Sequence, residues 1–267
     1  MARDQLRAKG LEELRLGLTG RDFAVLGQVG ELRLMTTQQI RAVHFPAEDH
    51  PSAFAAIRAC NRCLDRLVDC RALVRLARRV GGVHGGSSVY IYALGPVGQR
   101  LLNLGGARRR FREPSASFVD HTLAVSQLIV DLTLAARQKR FDLLAVQAEP
   151  RCWRTFTSSS GRMLLRPDAY VALGVGEYEH RVFIEVDRGT EHLPALLRKC
   201  HVYEAYYATG KEQAESEVFP RVCWLMPSVE RTTRLKRAIV ASRQLTPELF
   251  MVIPQQQAVA MLGGDAV

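Results

Sequence analysis

The sequence contains no run of about 18 consecutive apolar residues, the length a helix needs to cross a bilayer. Its first stretch, MARDQLRAKGLEELRLGLTG, has charges where a secretory leader would need an apolar centre. Together these absences set the expectation of a cytoplasmic protein with no membrane partner. Lysine is scarce: Lys9, Lys139, Lys199, Lys211 and Lys236 are all of it, and arginine supplies the other basic residues. The 6 cysteines follow no regular spacing, and a chain of 267 residues needs no disulfide staples, so a reducing compartment fits.

What is present points to a globular chain. A hydrophobic content of 47% over 267 residues fills one large core or two ordinary ones. The net charge of +10 is unevenly spread: residues 1–115 hold 19 Lys+Arg against 10 Asp+Glu, the remainder 18 against 17. An excess of cations confined to one half is the electrostatic footprint of a nucleic-acid partner. Codon bias toward arginine does not explain why acids fail to balance bases in that half alone.

Residues 1–17 read as a charged helical lead-in. Thr19 has the oxygen to cap a helix from Gly20 to Val29, with Phe23 and Leu26 inward. Thr36 or Thr37 starts a second helix carrying Ile40, Val43 and Phe45, and Pro46 to Pro51 makes a turn. Ser52 caps a third, AFAAIRACNRCLDRLVD, in which Phe54, Ile57, Cys60, Leu64 and Leu67 recur at helical spacing as a core stripe. Two strand-like runs follow, ALVRLARRV and SSVYIYAL, joined by GGVHGG, which is hairpin composition.

Three helices and a hairpin form the order of a winged helix-turn-helix, whose third helix enters the major groove of double-stranded DNA while the hairpin lies on the backbone. In that arrangement Arg58 and Arg62 reach base edges, Asn61 pairs with adenine, and Arg66 extends the same polar face. Arg75, Arg78, Arg79 and His84 would meet phosphates. The CxxC of Cys60 and Cys63, with Cys70 and His84 beyond, has the look of a zinc site. Cysteines within one amphipathic helical segment read better as small core side chains.

Gly95-Pro96 opens a short helix, and GGARRRFREPSAS, with Arg108, Arg109, Arg110 and Arg112, reads as a basic tether. The resulting division is a lead-in at 1–17, a winged helix at 18–107, a linker at 108–116, a second domain at 117–254 and a partly disordered tail at 255–267. The second domain opens on a long helix from Phe118 to Lys139 with His121, Val125, Leu128, Ile129 and Leu132 at helical spacing. Strands LLAVQAEP, MLLRPDAYVAL and HRVFIEVD follow. Helices LPALLRKCHVYEAYYA and VERTTRLKRAIVASR then alternate with strands RVCWLMP and LFMVIP. The order αβββαβαβ gives an α/β class with a mixed sheet.

Acids inside two of those strands are the chemical signal. A carboxylate in an apolar strand is costly unless it meets a metal, a cation or a hydrogen-bond donor. Asp168 falls in MLLRPDAYVAL, Glu185 and Asp187 in HRVFIEVD, and the period of two puts Glu185 and Asp187 on one face. Hard cations such as Mg²⁺ or Mn²⁺ take oxygen ligands of this kind. A helix starting near Leu193 lines up Lys199, Tyr203 and Tyr206 at spacings of four and three.

These residues and this element order resemble the PD-(D/E)xK nuclease fold, the restriction-endonuclease-like αβββαβ domain. Pro167-Asp168 and Glu185-Val186-Asp187 match its paired acids, except that Asp187 stands where that family has lysine. The resemblance implies a catalytic set of Asp168, Glu185, Asp187 and Lys199, the last supplying the cation from the following helix. A metal would be held by Asp168, Glu185 and Glu149. Taken whole, the chain resembles the replication-relaxation family of plasmid and mobile-element proteins. That likeness runs through LTGRDFAVL, MTTQQI, VYIYAL, VDHTLAV, RPDAYV, FIEVDRGTE and LLRKCHVYEAYY. It implies origin binding and strand nicking, with a homodimer and replication or conjugation proteins as possible partners.

Two rival readings stand beside this one. Tyr203, Tyr206 and Tyr207 offer tyrosine nucleophiles, but the chain has no HxH pair to hold the metal that tyrosine-dependent relaxases use. Alternatively, the chain is a non-catalytic initiator or transcriptional regulator, and a degenerate nuclease fold serves dimerisation or recruitment.

Overall fold

Capping chemistry lays out the start of the chain. The computed structural model describes residues 2–76, 90–102, 114–158 and 161–264, without the side chains of 2–9. After α1 (Ala2–Gly17), Thr19 caps α2 (Gly20–Leu32): its hydroxyl accepts from the Asp22 N–H, and the Asp22 carboxylate accepts from the Thr19 N–H at 2.8 Å. Thr36 and Gln39 repeat the reciprocal cap at α3 (Thr37–His44). Ser52 Oγ accepts from the Ala55 N–H and starts α4 (Ala53–Asp69), the span expected from sequence.

The buried stripe of α4 differs from the expected one. Ala56, Cys60, Cys63, Leu64 and Leu67 are buried, whereas Phe54 is 77% exposed. Phe54 lies in the first turn, where the apolar spacing continues and the packing does not. A short strand absent from the sequence reading, β1 (Leu34–Thr36), precedes α3. It pairs antiparallel with β3 (Ile91–Leu94), whose other edge pairs with β2 (Leu73–Leu76).

β3 leads into α5 (Pro96–Leu101). Here glycine is required by close approach: a Cβ on Gly95 would lie 2.3 Å from the Arg71 carbonyl oxygen, and one on Gly98 2.2 Å from that of Ala72. The long α6 (Ala116–Arg137) follows. Its 22 residues are long and apolar enough to cross a membrane by length and composition alone, yet Val119, Leu128, Ile129 and Leu132 are buried in the protein. Val119 packs with Leu34, Leu76, Ile91 and Ala93, while Ser126 Oγ donates to the Leu34 carbonyl at 2.7 Å. The chain divides into two units, Met1–Val130 and Asp131–Val267, so the division falls inside α6, later than the basic tether.

The second unit is built on a mixed five-stranded sheet. Its strands are β4 (Asp142–Ala148), β7 (Ala169–Val175), β8 (Tyr178–Val186), β9 (Arg221–Met226) and β10 (Phe250–Pro254), in the order β10-β9-β8-β7-β4. β4, β7 and β8 are mutually antiparallel; β8, β9 and β10 run parallel. The parallel joins are made through α7 (Leu193–Tyr207), α8 (Lys211–Ser216) and α9 (Val229–Ala241). Residues Val182 to Val186 are buried without alternation, as in a strand covered on both faces. Phe183, Leu196, Cys200, Tyr203, Tyr206, Trp224, Leu235 and Ile239 pack into the core that α7 and α9 form on the sheet.

Two expectations for this unit need correction. MLLRPDAYVAL is not one strand: β6 (Gly161–Leu165) forms a hairpin with β5 (Arg154–Ser158), and Arg166, Pro167 and Asp168 turn from it into β7. Proline has no N–H to give a ladder, and the run breaks there. The C-terminal stretch, expected as a partly disordered tail, goes on past β10 into a single 3-10 turn (Gln255–Gln257) and a helix. Ala258 and Leu262, four residues apart on α10 (Ala258–Leu262), bury one face of that helix.

Candidate functional site

In the first unit, α4 presents Arg58, Asn61 and Arg62 to solvent. Arg66 and Arg75 have other commitments. Asp22 is buried, and its Oδ1 accepts from Arg66 at 2.5 Å and from the Cys63 thiol at 3.1 Å. Burial alone would raise the Asp22 carboxyl, but its bonds to Thr19, Cys63 and Arg66 outweigh that and hold it below the usual value. Arg66 therefore joins α4 to α2. Arg75 bonds Asp65 and lies over the Tyr90 and Tyr92 rings, 4.6 and 5.7 Å from their centroids.

Arg78, Arg79, His84 and the basic run at 108–112 lie outside the described residues. Cys60 and Cys63 are buried, and burial pushes the Cys60 thiol up to about 11 and Cys63 higher still. These are inert core thiols. Among the described residues no group of three His, Cys, Asp or Glu side chains is placed to hold a metal ion.

In the second unit, the sheet register does the positioning. Ala148 opposes Ala169, and Ala169 opposes Ile184. Glu149 and Asp168 thus follow and precede these pairs just outside β4 and β7, while Glu185 lies within β8 and opposes Trp224 of β9. Asp168 is bonded twice to β8: its N–H donates to the Ile184 carbonyl at 3.0 Å, and its Oδ2 accepts from the Val186 N–H at 2.7 Å. Cys152, which sequence offered no reason to single out, donates its thiol to the Pro167 carbonyl at 3.0 Å. Burial, reinforced by the Glu149 and Asp168 carboxylates, pushes that thiol up to about 12.

α7 brings the counter-charge. Lys199 Nζ bonds Glu185 Oε2 and lies 4.0 Å from Asp168 Oδ1, while the Tyr203 hydroxyl donates to Glu185 Oε1. The ammonium is also 5.8 Å from the centroid of the Trp224 ring. Glu185 is 1% exposed. Burial pushes its carboxyl up to about 8, with Lys199 pulling downward and Asp168 adding to the rise. For Lys199 burial works to lower the pKa, but the charges of Glu185 and Asp168 dominate and hold it above the ordinary lysine value.

Asp187 does not join this group. It lies just past the end of β8, where its Oδ1 accepts from the Gly189 N–H at 3.0 Å and both its oxygens bond Arg231 of α9. Arg231 also donates to the Glu191 carbonyl, fastening the loop that leads to α7. The period-two argument gives Asp187 the right face and misses that a cation from another helix already holds it. The tyrosine cluster also resolves: Tyr203 and Tyr206 are buried, with hydroxyls on Glu185 and Glu212. Neither is placed as an exposed nucleophile.

The arrangement thus joins Asp168, Glu185 and Lys199; Glu149 lies in the turn after β4 and does not form a three-acid group with them. Asp168 and Glu185 are both buried, and their oxygens are of the hard type that a divalent ion takes. An ammonium beside them is suited to a phosphate oxygen or an attacking water. A family model described as replication-relaxation matches residues 26–222. No curated protein and no solved structure matches the chain.

Proposed function

The chain belongs to the replication-relaxation family, associated with the replication of plasmids and mobile elements, and on that premise we propose that it binds origin-type DNA and nicks it by metal-dependent phosphodiester hydrolysis. In this reading α2, α3 and α4 with the β2–β3 pair act as a winged helix-turn-helix. Arg58, Asn61 and Arg62 are its base-reading side chains, and Arg66 is a positioning residue bound to Asp22. The sheet of the second unit serves as a PD-(D/E)xK-like nuclease domain.

The observation that carries the proposal is the meeting of Asp168 and Glu185, from neighbouring strands, with Lys199 from the following helix. Asp168 and Glu185 would hold Mg²⁺ or Mn²⁺, with Glu149, in the turn after β4, as a third acid. When bound, such an ion polarises the phosphoryl oxygen and lowers the pKa of a bound water. Lys199 orients the scissile phosphate or the water, and Tyr203 keeps the Glu185 carboxylate turned toward it. Asp187 has no chemical role here; it anchors the loop after β8 through Arg231.

The test is a supercoiled plasmid carrying the element's own origin region, incubated with Mg²⁺ or Mn²⁺. Wild type should yield nicked circles, and Asp168→Ala and Glu185→Ala should not. Equal nicking by the variants would remove these acids from the chemistry. One observation favours a second reading: Lys199 and Tyr203 already satisfy both Glu185 oxygens, as in a structural ion pair. A non-catalytic initiator or regulator of this kind retards DNA on a gel, leaves it intact with every metal, and binds unchanged after Asp168→Ala.

A further inference from the structure

The even charge balance of the second half conceals a basic surface on α9. Along residues 229–243 stand Arg231, Arg234, Lys236, Arg237 and Arg243, with Glu230 as the only acid. Thr232, Leu235 and Ile239 are buried, which turns Arg234, Lys236 and Arg237 to solvent, and Arg243 is exposed just beyond the helix. Arg231 alone of these cations is in an ion pair among the described residues, with Asp187. Glu230 stands four residues before Arg234 and offsets one charge of the group, leaving Lys236 and Arg237 with no acid at helical spacing.

Unpaired cations clustered on one face raise the local concentration of a polyanion. The attachment of the helix indicates which polyanion. Arg231, in its first turn, bonds Asp187, two positions beyond Glu185, and the Glu191 carbonyl, so α9 is fastened to the loop that leaves the acidic site. We propose that the solvent face of α9 is a nucleic-acid backbone contact of the second unit, with Arg234, Lys236 and Arg237 meeting phosphates and Arg231 holding the helix to the site loop. The assignment rests on the reading of that site as one acting on DNA. It adds a DNA contact beyond the first half, where the excess charge resides.

The experiment uses the full chain without divalent metal, measuring affinity for the origin-region DNA between about 50 and 200 mM salt. Each phosphate contact contributes about 0.9 to the slope of log K against log salt, so the triple variant Arg234→Gln, Lys236→Gln, Arg237→Gln should have a slope shallower by about 2 to 3. The charge-preserving pair Arg234→Lys, Arg237→Lys should keep the wild-type slope. All three positions are exposed, so the variant should keep its melting temperature. An unchanged slope overturns the proposal. It is equally overturned if the triple variant loses binding to vesicles of anionic lipid while its DNA slope stays that of wild type, because the face then serves a membrane. The readout needs no cleavage, so a failure to nick plasmid and a failure of this surface are separate results.

Discussion

Replacing Glu185 by glutamine should abolish a pH dependence of stability that the metal-free protein owes to this one side chain. Glu185 is 1% exposed, and burial raises its carboxyl from the ordinary 4.5 to about 8. The folded state therefore holds a proton that the unfolded chain releases across that interval. Where the folded state binds more protons, stability falls as pH rises. The contribution is fully present below about 4.5 and is lost as pH climbs through about 8. At about 1.4 kcal/mol per pH unit, the loss is at most about 5 kcal/mol. Lys199 stays charged throughout, so it does not reverse the sign. Urea denaturation at pH 5, 6.5 and 8 gives the stability of wild type minus that of Glu185→Gln, a difference in which other titrating groups cancel. It should decline steadily over the range. A flat difference, or one that grows with pH, would refute the claim that this carboxyl is buried at the expense of its charge.

Lys199→Met leaves the same carboxyl without its cation and should cost about 3–5 kcal/mol at pH 9, but much less at pH 5, where Glu185 is neutral; thermal melts at the two pH values check this. Adding Mg²⁺ or Mn²⁺ at ten times its dissociation constant should stabilise wild type by about 1.4 kcal/mol at pH 8, with no gain in Asp168→Ala, and chelation should reverse it. Gly98→Ala drives a methyl into the Ala72 carbonyl, 2.2 Å from its oxygen, and should lower stability by about 1–3 kcal/mol or more in urea. Phe54→Ser, at an exposed position, should change stability by less than about 0.5 kcal/mol and leave the melting temperature in place.

Much of this architecture was legible because it rests on local chemistry. Thr19, Thr36 and Ser52 announce their helices by the oxygen each offers to a free backbone N–H, and the structure has all three caps. Lys199 could be set on one face with Tyr203 by counting along a helix, and both reach Glu185. The failures are cases where partners come from afar or an element ends early. β1 is three residues long and exists because β3 pairs with it, a fact no local window contains. Phe54 keeps the apolar rhythm of α4 and is nonetheless exposed. Asp187 obeys the alternation of β8, but the strand stops at Val186 and Arg231 arrives from a helix some forty residues later. The break at Pro167 was available in principle, since proline inside a strand-like run argues against one continuous strand.

The mixed direction of the five-stranded sheet also sets an order in time. β7 and β8 are joined by a turn at Gly176 and Glu177, so the strands that bring Asp168 and Glu185 together can pair as soon as both exist. The parallel pairing of β8 with β9 must wait for a crossover through α7 and α8, and only that crossover delivers Lys199. A growing chain therefore sets two carboxylates side by side before any ammonium is present to join them. The completed cluster is a late event in the life of the molecule, and a chain halted before α7 carries the acids without the cation.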